Sequence, residues 1–243
     1  MTSRQRADRL LVARGFFDSR ARAQAAIAAG GVTADGVLLR KPSDEIPSDA
    51  TIAAAPAHPY VSRGGVKLAA ALEHFAVDVA GRVCLDVGAS TGGFTQVLLL
   101  RGAQRVYALD VGTDQLHASL RGRDDVVCLE QTDVRALDPS RFAEQPDFAT
   151  VDVSFISLKR VLPAIGKLLP PRAALLALIK PQFEAPRRHL KKGIVRDAAV
   201  HQAVRDDIAA FLRAQAWRVG GDIPSAILGG DGNAEFFVEA ERG

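Results

Sequence analysis

The sequence predicts an α/β protein in which a small N-terminal α+β unit precedes a doubly wound, mainly parallel sheet. Two observations predict this organisation. From about residue 60 onward, short apolar runs alternate with amphipathic helical segments, a pattern typical of a parallel sheet covered by helices. Before that point, Pro56 and Pro59 favour an extended linker, because each proline disfavours helix in the residue before it. We therefore expect domains at residues 1–58 and 59–243.

Composition favours a packed protein and excludes several other classes. Of the 243 residues, 48% are hydrophobic and 24% are charged, which suits a globular core rather than disorder. No apolar run reaches the roughly 18 residues that a membrane span needs, and the N-terminus lacks a signal-peptide core. Cys84 and Cys128 lie in apolar runs without metal-ligand spacing or a disulfide framework. The sequence thus predicts a cytoplasmic protein with no membrane contact and no metal.

The N-terminal unit is predicted to contain two helices followed by short extended segments. The first helix covers residues 7–15 and ends at Gly15, and the second runs from Arg20 to Ala29 after a cap at Asp18 or Ser19. Asp35-Gly36 lies between β-prone residues and predicts a hairpin.

Basic residues are concentrated in this unit, where six arginines and three aspartates precede Gly36. Arg20 and Arg22 begin the second helix, where outward-facing backbone N–H groups also favour phosphate. The alternative is that these arginines form a solvated face. The block resembles an S4 RNA-binding domain through Arg9-Leu10-Leu11, residues 19–24, Gly36 and Lys41-Pro42-Ser43. This resemblance implies RNA contacts from Arg4, Arg6, Arg20 and Arg22.

The second unit is predicted to alternate strands and helices in chain order. Helix 67–75 leads into the strand that contains Cys84, and Pro163 disfavours regular helix in the first turns of a later one, at 158–169. The further predicted helices cover residues 94–100, 158–169 and 198–214, and the further strands cover 106–109, 126–129, 148–153, 174–179, 218–223 and 236–240.

A glycine-rich turn after the first of these strands is the strongest functional signal. The pattern D-x-G-x-x-x-G-G, with Asp86, Gly88, Ser90 and Gly92, differs from the dinucleotide fingerprint and resembles the looser loop of S-adenosylmethionine-dependent methyltransferases. Asp110 ends the next strand, where a carboxylate is placed to bind ribose hydroxyls. A structural turn in some other nucleotide-binding sheet is the alternative for this segment.

Polar residues at the strand ends form a second pattern. Asp152 and Lys180 each follow an apolar strand, and the carboxyl ends of parallel strands form the ligand crevice of such a sheet. Lys67 and Glu235 are positioned in the sequence to reach the same crevice, although Glu239 lies close to Glu235. Each lysine taken alone is more simply interpreted as a surface charge.

Together these residues resemble the Lys-Asp-Lys-Glu set of FtsJ-like ribose 2′-O-methyltransferases. With the S4-like block, the whole chain resembles the TlyA/hemolysin A family of rRNA 2′-O-methyltransferases. The matching segments are 62–68, 86–95, 151–158, 179–184 and 192–195.

The resemblance implies S-adenosylmethionine as cofactor and a ribosomal RNA or ribosomal subunit as partner. It makes Lys180 the base, tuned by the cation of Lys67, with Asp152 and Glu235 holding the ammonium groups. It also places Asp133 near the adenine amine, where a helix cap is the alternative, and for Phe155 internal packing is preferred over base stacking. The resemblance implies a cytidine of large-subunit rRNA as the target, and in some longer members of the family the small subunit as well. Because this chain has the extent of the short members, we expect the large subunit alone.

Three other functions compete with this one. A non-catalytic RNA-binding protein with a degenerate fold is opposed by the intact glycine loop, Asp110 and both lysines. A hemolysin, after the family's older name, lacks support because no long apolar span or basic amphipathic helix is present. A metal-dependent catechol-type enzyme would need a carboxylate cluster that the sequence does not offer.

Overall fold

The computed structural model describes residues 3–243, and it divides the chain between Pro59 and Tyr60 into two compact units. The division lies one residue after the expected boundary. Each unit has its own hydrophobic core, built from residues that belong to that unit alone.

The first unit is a small α+β fold in which two helices pack with two small antiparallel sheets. Its helices are α1 (Ala7–Ala13) and α2 (Arg20–Ala28), and its strands are β1 (Arg4–Arg6), β2 (Val32–Ala34), β3 (Val37–Leu38), β4 (Glu45–Pro47) and β5 (Ile52–Ala54). Ser19 caps α2 because its side chain accepts a hydrogen bond from the backbone N–H of Arg22. The predicted hairpin is confirmed, since Asp35 and Gly36 both have positive φ between β2 and β3.

The second unit contains a seven-stranded sheet in the order β11-β12-β10-β9-β6-β7-β8. Its strands are β6 (Val83–Val87), β7 (Arg105–Leu109), β8 (Val126–Leu129), β9 (Phe148–Val151), β10 (Ala174–Ile179), β11 (Arg218–Pro224) and β12 (Phe236–Glu241). Strands β6 to β10 are parallel, and the antiparallel pair β11–β12 completes one side of the sheet. The predicted doubly wound sheet with a closing hairpin is therefore confirmed.

Helices cover both faces of this sheet. They are α3 (Gly64–His74), α4 (Gly93–Leu100), α5 (Ala118–Arg121), α6 (Leu158–Leu168), α7 (Pro181–Glu184) and α8 (Ala198–Ala214), with short 3-10 turns at Val134–Ala136, Pro139–Arg141 and Arg187–His189. Apolar residues of α3 and α4 form the core on one face, and those of α6 and α8 form the core on the other. The strands alternate between these cores, as Cys84 and Leu85 illustrate.

This topology brings one set of chain ends to one edge of the sheet. The parallel strands β6, β7, β9 and β10 all end there, and β12 begins there because it runs antiparallel to β10. Residues that follow Val87, Leu109, Val151 and Ile179, or that precede Phe236, therefore lie at a common edge. We call it the carboxyl edge, and ligands of open α/β sheets bind at this position.

Candidate active site

The glycine-rich turn links β6 to α4 at the carboxyl edge, and two of its glycines are required by close packing. Gly88 has φ +85, and a Cβ atom there would lie 2.4 Å from the backbone oxygen of Asp152. Gly92 has φ +94, and its Cβ would lie 2.4 Å from a methyl carbon of Leu120. Only glycine fits these positions without strain, so the loop can lie directly against the ends of its neighbouring elements.

Asp86 supports this loop from below. It is completely buried, and its two carboxylate oxygens accept hydrogen bonds from the hydroxyls of Thr150, at 2.9 Å, and Thr95, at 2.7 Å. Burial raises the pKa of Asp86 to about 7, and the two hydroxyls only partly oppose that rise. Asp86 thus ties β6 to β9 and α4, and it does not reach the cavity described below.

Asp110 follows β7 and fixes the other side of the loop. Its carboxylate accepts hydrogen bonds from the backbone N–H groups of Ser90, at 2.8 Å, and Gly112, at 2.7 Å. Each carboxylate oxygen has a second lone pair, so Asp110 can still accept hydrogen bonds from a ligand's hydroxyls. The arrangement orients the carboxylate and leaves binding capacity in it.

A cavity of about 520 Å³ opens beside this loop. Among the predicted cofactor-binding residues, Gly88, Ser90, Asp110 and Asp133 line it, whereas Asp86 and Gly92 do not. Its remaining lining residues are Val87, Leu109, Val111, Gln115, Val134, Arg135, Asp152, Val153, Ser154, Phe155, Ile156 and Val161. The lining is therefore mostly apolar and includes the carboxylates of Asp110, Asp133 and Asp152, which suits a ligand with an aromatic part and a polar part.

Asp133 serves as a local cap in addition to lining the cavity. It accepts a hydrogen bond from the backbone N–H of Arg135 at 2.9 Å, and its carboxylate lies 2.6 Å from the guanidinium of that residue. The Arg135 guanidinium holds the pKa of Asp133 below its usual range. The capping alternative is thus what the side chain does in this structure, and the adenine contact stays a prediction.

The predicted catalytic residues form two ion pairs. Nζ of Lys180 lies 2.5 Å from Oδ1 of Asp152, which is an ion-pair contact whose angles are not those of a hydrogen bond. The same nitrogen donates a hydrogen bond to the Ser154 hydroxyl at 2.8 Å. Nζ of Lys67 donates to Oε2 of Glu235 at 2.5 Å. Both lysines are only 9% exposed. A lysine that is an ordinary surface charge would be exposed to solvent. Because both lysines are buried and paired, they are not ordinary surface charges.

Strand register makes the two pairs neighbours. Ile179 of β10 pairs with Phe236 of β12, so Lys180 and Glu235 come next to each other where these strands reach the carboxyl edge. Asp152 follows β9, which adjoins β10 on the other side, and its backbone oxygen lies against Gly88. A continuous row of polar groups thus runs from the glycine loop to α3, which carries Lys67.

Phe155 stands at the rim of the cavity and is 91% exposed. The expectation of internal packing is wrong, because the backbone of Phe155 adopts φ +63 and turns the side chain out of the core. Its ring has one aromatic neighbour, Phe183, at a centroid distance of 5.0 Å. A phenylalanine in a left-handed conformation is strained, and such strain clusters at functional sites.

The arginines predicted to bind RNA all have partners within the first unit. Asp8 is completely buried, and its carboxylate contacts Arg6 at 3.1 Å and Arg20 at 2.7 Å, with Gln24 also donating to it. The guanidinium of Arg6, with Arg20 and Gln24, holds the pKa of Asp8 well below its usual range. Sequence reasoning missed this cluster, although an aspartate two residues after an arginine was a visible signal.

The other two arginines are also engaged, and both keep donors for a ligand. Arg22 pairs with Asp18 at 3.0 Å, and Arg4 donates to the backbone oxygen of Glu45. A guanidinium has five N–H donors, so one protein contact leaves several for phosphate.

Among residues 3–243, no group of three or more His, Cys, Asp or Glu side chains could hold a metal ion. Within that same range, none of the helices combines the length and apolar character that crossing a bilayer requires.

A glycine loop and a carboxylate on the second strand, at the carboxyl edge of a seven-stranded sheet, define a class I methyltransferase. The model of the FtsJ-like methyltransferase family matches residues 60–242, and that of the S4 domain matches residues 5–52. The chain belongs to the FtsJ-like methyltransferase family, carries an N-terminal S4 domain, and is an enzyme that uses S-adenosylmethionine. The predicted family, fold and cofactor are confirmed.

Several known proteins are similar to this chain over nearly all of its length, across both domains. A candidate rRNA methyltransferase of Bacillus subtilis, YqxC, is 46% identical over 98% of this chain and 86% of its own length. The 16S/23S rRNA (cytidine-2′-O)-methyltransferase TlyA of Mycobacterium tuberculosis is 43% identical over 98% of this chain and 90% of its own length. A structure described as a candidate hemolysin from Streptococcus thermophilus has a TM-score of 0.79 and 41% identity, covering 100% of this chain and 90% of its own.

Proposed function

We propose that the protein transfers a methyl group from S-adenosylmethionine to the ribose 2′-hydroxyl of a cytidine in large-subunit rRNA. The observation that carries this proposal is the two lysine–carboxylate pairs at the carboxyl edge, in which both lysines are buried and Asp152 lines the glycine-loop cavity. A ribose hydroxyl needs a base and an orienting group, and such a row supplies both. An rRNA substrate also assigns the reaction to the cytoplasm.

The chemistry of the cavity's lining residues fits S-adenosylmethionine. Asp110 keeps lone pairs for ribose hydroxyls, and Gly88 and Ser90 leave backbone within reach of a ligand. The apolar lining residues Leu109, Val111 and Ile156 suit the adenine ring. Asp86 is better assigned to supporting the loop than to binding the cofactor, because it is completely buried between Thr95 and Thr150 and does not line the cavity.

Four side chains divide the chemistry between them. When bound, S-adenosylmethionine supplies an electrophilic methyl group, which the ribose oxygen accepts as the carbon–sulfur bond breaks. In its neutral form, Nζ of Lys180 takes the hydroxyl proton and becomes the ammonium, which Asp152 and Ser154 hold in place. Lys67, held by Glu235, orients the hydroxyl from the other side. Low exposure of both lysines limits the water that can reach their Nζ atoms.

Phe155 and the S4 domain support an RNA substrate in particular. An exposed aromatic ring at the rim of the cavity can stack on an unpaired base, which is the usual way that proteins hold single-stranded RNA. The name of the M. tuberculosis relative gives cytidine in both 16S and 23S rRNA as its target. The large subunit is the substrate that we propose for this chain.

Methylation of isolated ribosomal subunits with labelled S-adenosylmethionine tests the proposal. We expect label in large-subunit rRNA, at a single cytidine 2′-oxygen, and none with Lys180→Ala. Label in the small subunit as well would show that the enzyme methylates the rRNA of both subunits. Absence of label from both subunits, with cofactor binding intact, would overturn the proposal.

A further inference from the structure

A strongly basic segment between α7 and α8 has no part in the chemistry described so far. Five exposed basic side chains and no acidic residue lie in the range 187–196, which we call the basic loop: Arg187, Arg188, Lys191, Lys192 and Arg196. Within the described part of the chain, none of the five forms an ion pair with a carboxylate. In this respect they differ from Arg6, Arg20 and Arg22 of the first unit. Their charge is therefore fully available to a polyanion.

The basic loop begins at the carboxyl edge. It follows Lys180 and the short helix α7 with no intervening strand, so the chain enters it directly from the active site. Lys191 and Ile194 are bridged by two backbone hydrogen bonds of 2.9 and 3.1 Å. Lys192 and Gly193 between them have φ values of +51 and +79, as in a tight type I′ turn. This turn gives Lys191 and Lys192 a defined backbone.

Asn233 connects the basic loop to the segment that carries Glu235. Its side chain is buried, with the residue 1% exposed. Its Oδ1 accepts from the backbone N–H of Val195, and its Nδ2 donates to the backbone oxygen of Gly193, both at 3.1 Å. Both polar atoms of the buried Asn233 amide thus form hydrogen bonds with the backbone of the basic loop. A residue two positions before Glu235 thereby fixes where the basic loop lies.

The segment around Glu235 is itself closely packed. The backbone N–H of Gly229 donates to the backbone oxygen of Asn233 at 2.9 Å, and a Cβ at Gly229 would lie 2.4 Å from Oε1 of Glu235. Arg63, one turn before Lys67 in the chain, donates to the backbone oxygen of Leu228 at 2.6 Å. The turn 228–235 therefore holds the Glu235 carboxylate on one side and the basic loop on the other.

We propose that the basic loop binds the phosphates of the RNA strand next to the target nucleotide, and that Asn233 is the positioning residue that sets this loop relative to Glu235. The inference rests on the proposed function, because it takes RNA as the substrate. It adds a second RNA-binding surface, located in the methyltransferase domain and separate from the S4 domain. Phosphate contacts there hold the strand without reading its sequence.

The double variant Lys191→Ala/Lys192→Ala tests the surface in the full-length protein. We expect the rRNA KM to rise about tenfold, with most of the loss in KM rather than kcat. The slope of log affinity against log salt should fall by about 0.7–0.9 for each phosphate contact removed. The matched control is Lys167→Ala/Arg172→Ala, which removes the same charge near the opposite edge of the sheet, where α6 ends and β10 begins. The control should keep the wild-type KM and salt slope.

Asn233→Ala tests the positioning role. We expect it to raise KM and lower the salt slope as the loop variant does, and also to lower kcat, because Glu235 loses its fixed turn. Combined with Lys191→Ala/Lys192→Ala, it should add little further to KM, since both changes act through the same loop. S-adenosylmethionine affinity should stay at the wild-type value in every variant.

Two results would overturn the inference while leaving the proposed function intact. The first is wild-type methylation in which the loop double variant matches the control in KM and salt slope. The second is full additivity of the Asn233 and loop changes in KM, which would remove the positioning role.

If Asn233→Ala does not fold, the loop variant alone decides the RNA surface, and Asn233→Asp decides the positioning role. Asp keeps the acceptor for Val195 but sets an oxygen against that of Gly193, so an unchanged KM and salt slope would exclude that role. No methylation by the wild-type protein would instead refute the proposed function.

Discussion

At the scale of single residues, the candidate active site consists of charged side chains that are already paired with one another. Lys180 with Asp152 and Lys67 with Glu235 hold their geometry in the absence of substrate. Preorganised groups of this kind need little rearrangement when the transition state forms, which is where enzymes gain most of their rate. The identity of each side chain therefore matters more than its charge alone.

Replacing Lys180 separates proton transfer from positioning. Lys180→Ala should reduce the single-turnover rate by at least about a hundredfold, because a general base contributes on the order of 10²–10⁴. Lys180→Arg should fail as well, since a guanidinium keeps its proton at neutral pH. Single-turnover rates on saturating rRNA provide the measurement, and near wild-type rates for Lys180→Arg would exclude Lys180 as the base.

Asp86 should make stability depend on pH. Its pKa is raised to about 7 in the folded protein by burial, so the folded state holds a proton that the unfolded chain releases near its ordinary value of 3.8. This contribution to stability is present below about pH 4 and is lost as pH rises through about 7. Asp86→Asn cannot ionise, so relative to the variant the wild type should lose about 1.4 kcal/mol per pH unit within that window.

Urea unfolding followed by tryptophan fluorescence measures this effect directly. Trp217 is the single tryptophan of the chain and is 3% exposed in the same unit as Asp86, so its emission reports the unfolding of that unit. The informative quantity is the difference between wild type and Asp86→Asn at pH 5 and pH 7. Parallel stability curves for the two proteins would show that Asp86 keeps an ordinary pKa.

At the scale of elements, the sequence predicted those whose own pattern is strong. Helix α8 begins and ends at the predicted residues because Asp197 caps it, with a 2.9 Å hydrogen bond from Ala199 N–H, and one apolar face is buried. Strand β10 matches the prediction because its residues are apolar throughout and are buried on both faces. Helices α5 and α7 were missed, since four residues carry no detectable period and depend on tertiary contacts.

The candidate site was predictable in composition but not in geometry. Glu239 competed with Glu235 in the sequence, and the register decides between them: Glu239 pairs with Leu176 in the middle of the sheet, away from the carboxyl edge. Phe155 could not be predicted to stand exposed, because its positive φ depends on the turn around it. Position relative to an edge is set by pairing, which no single segment encodes.

Gly88→Ala should disrupt the loop as an element. The new Cβ would lie 2.4 Å from the backbone oxygen of Asp152, and alanine adopts the φ of this position only with strain. We expect a loss of about 1–3 kcal/mol in stability and weaker S-adenosylmethionine binding, measured by urea unfolding and calorimetry. Gly122→Ala is the matched control, because no atom lies within 4 Å of its Cβ position and its φ is negative. Equal cofactor affinity in both variants would contradict the role given to Gly88.

At the scale of the whole molecule, charge is distributed unevenly and used differently in the two units. The chain carries a net charge of only +3, which would draw it weakly to RNA if spread evenly. In the first unit Arg6, Arg20 and Arg22 form ion pairs with Asp8 or Asp18, so they contribute to the fold in addition to the RNA contacts that we predict for them. A loss of RNA affinity after substitution there has two physical sources, which a suitable pair of variants can separate.

Arg20→Ala and Arg22→Ala form that pair. Each removes one guanidinium from the start of α2, so each should weaken RNA binding and lower its salt slope by roughly 0.7–0.9, without changing cofactor affinity. Stability should differ: Arg20 is 48% exposed but contacts the fully buried Asp8, so its loss should cost about 1 kcal/mol, whereas Arg22 contacts an exposed Asp18 and should cost about 0.5 kcal/mol or less. Because the tryptophan lies in the other unit, thermal unfolding is followed by circular dichroism. If both variants keep the wild-type RNA affinity and salt slope, these arginines serve the fold alone, and RNA binding by the S4 domain must use other side chains.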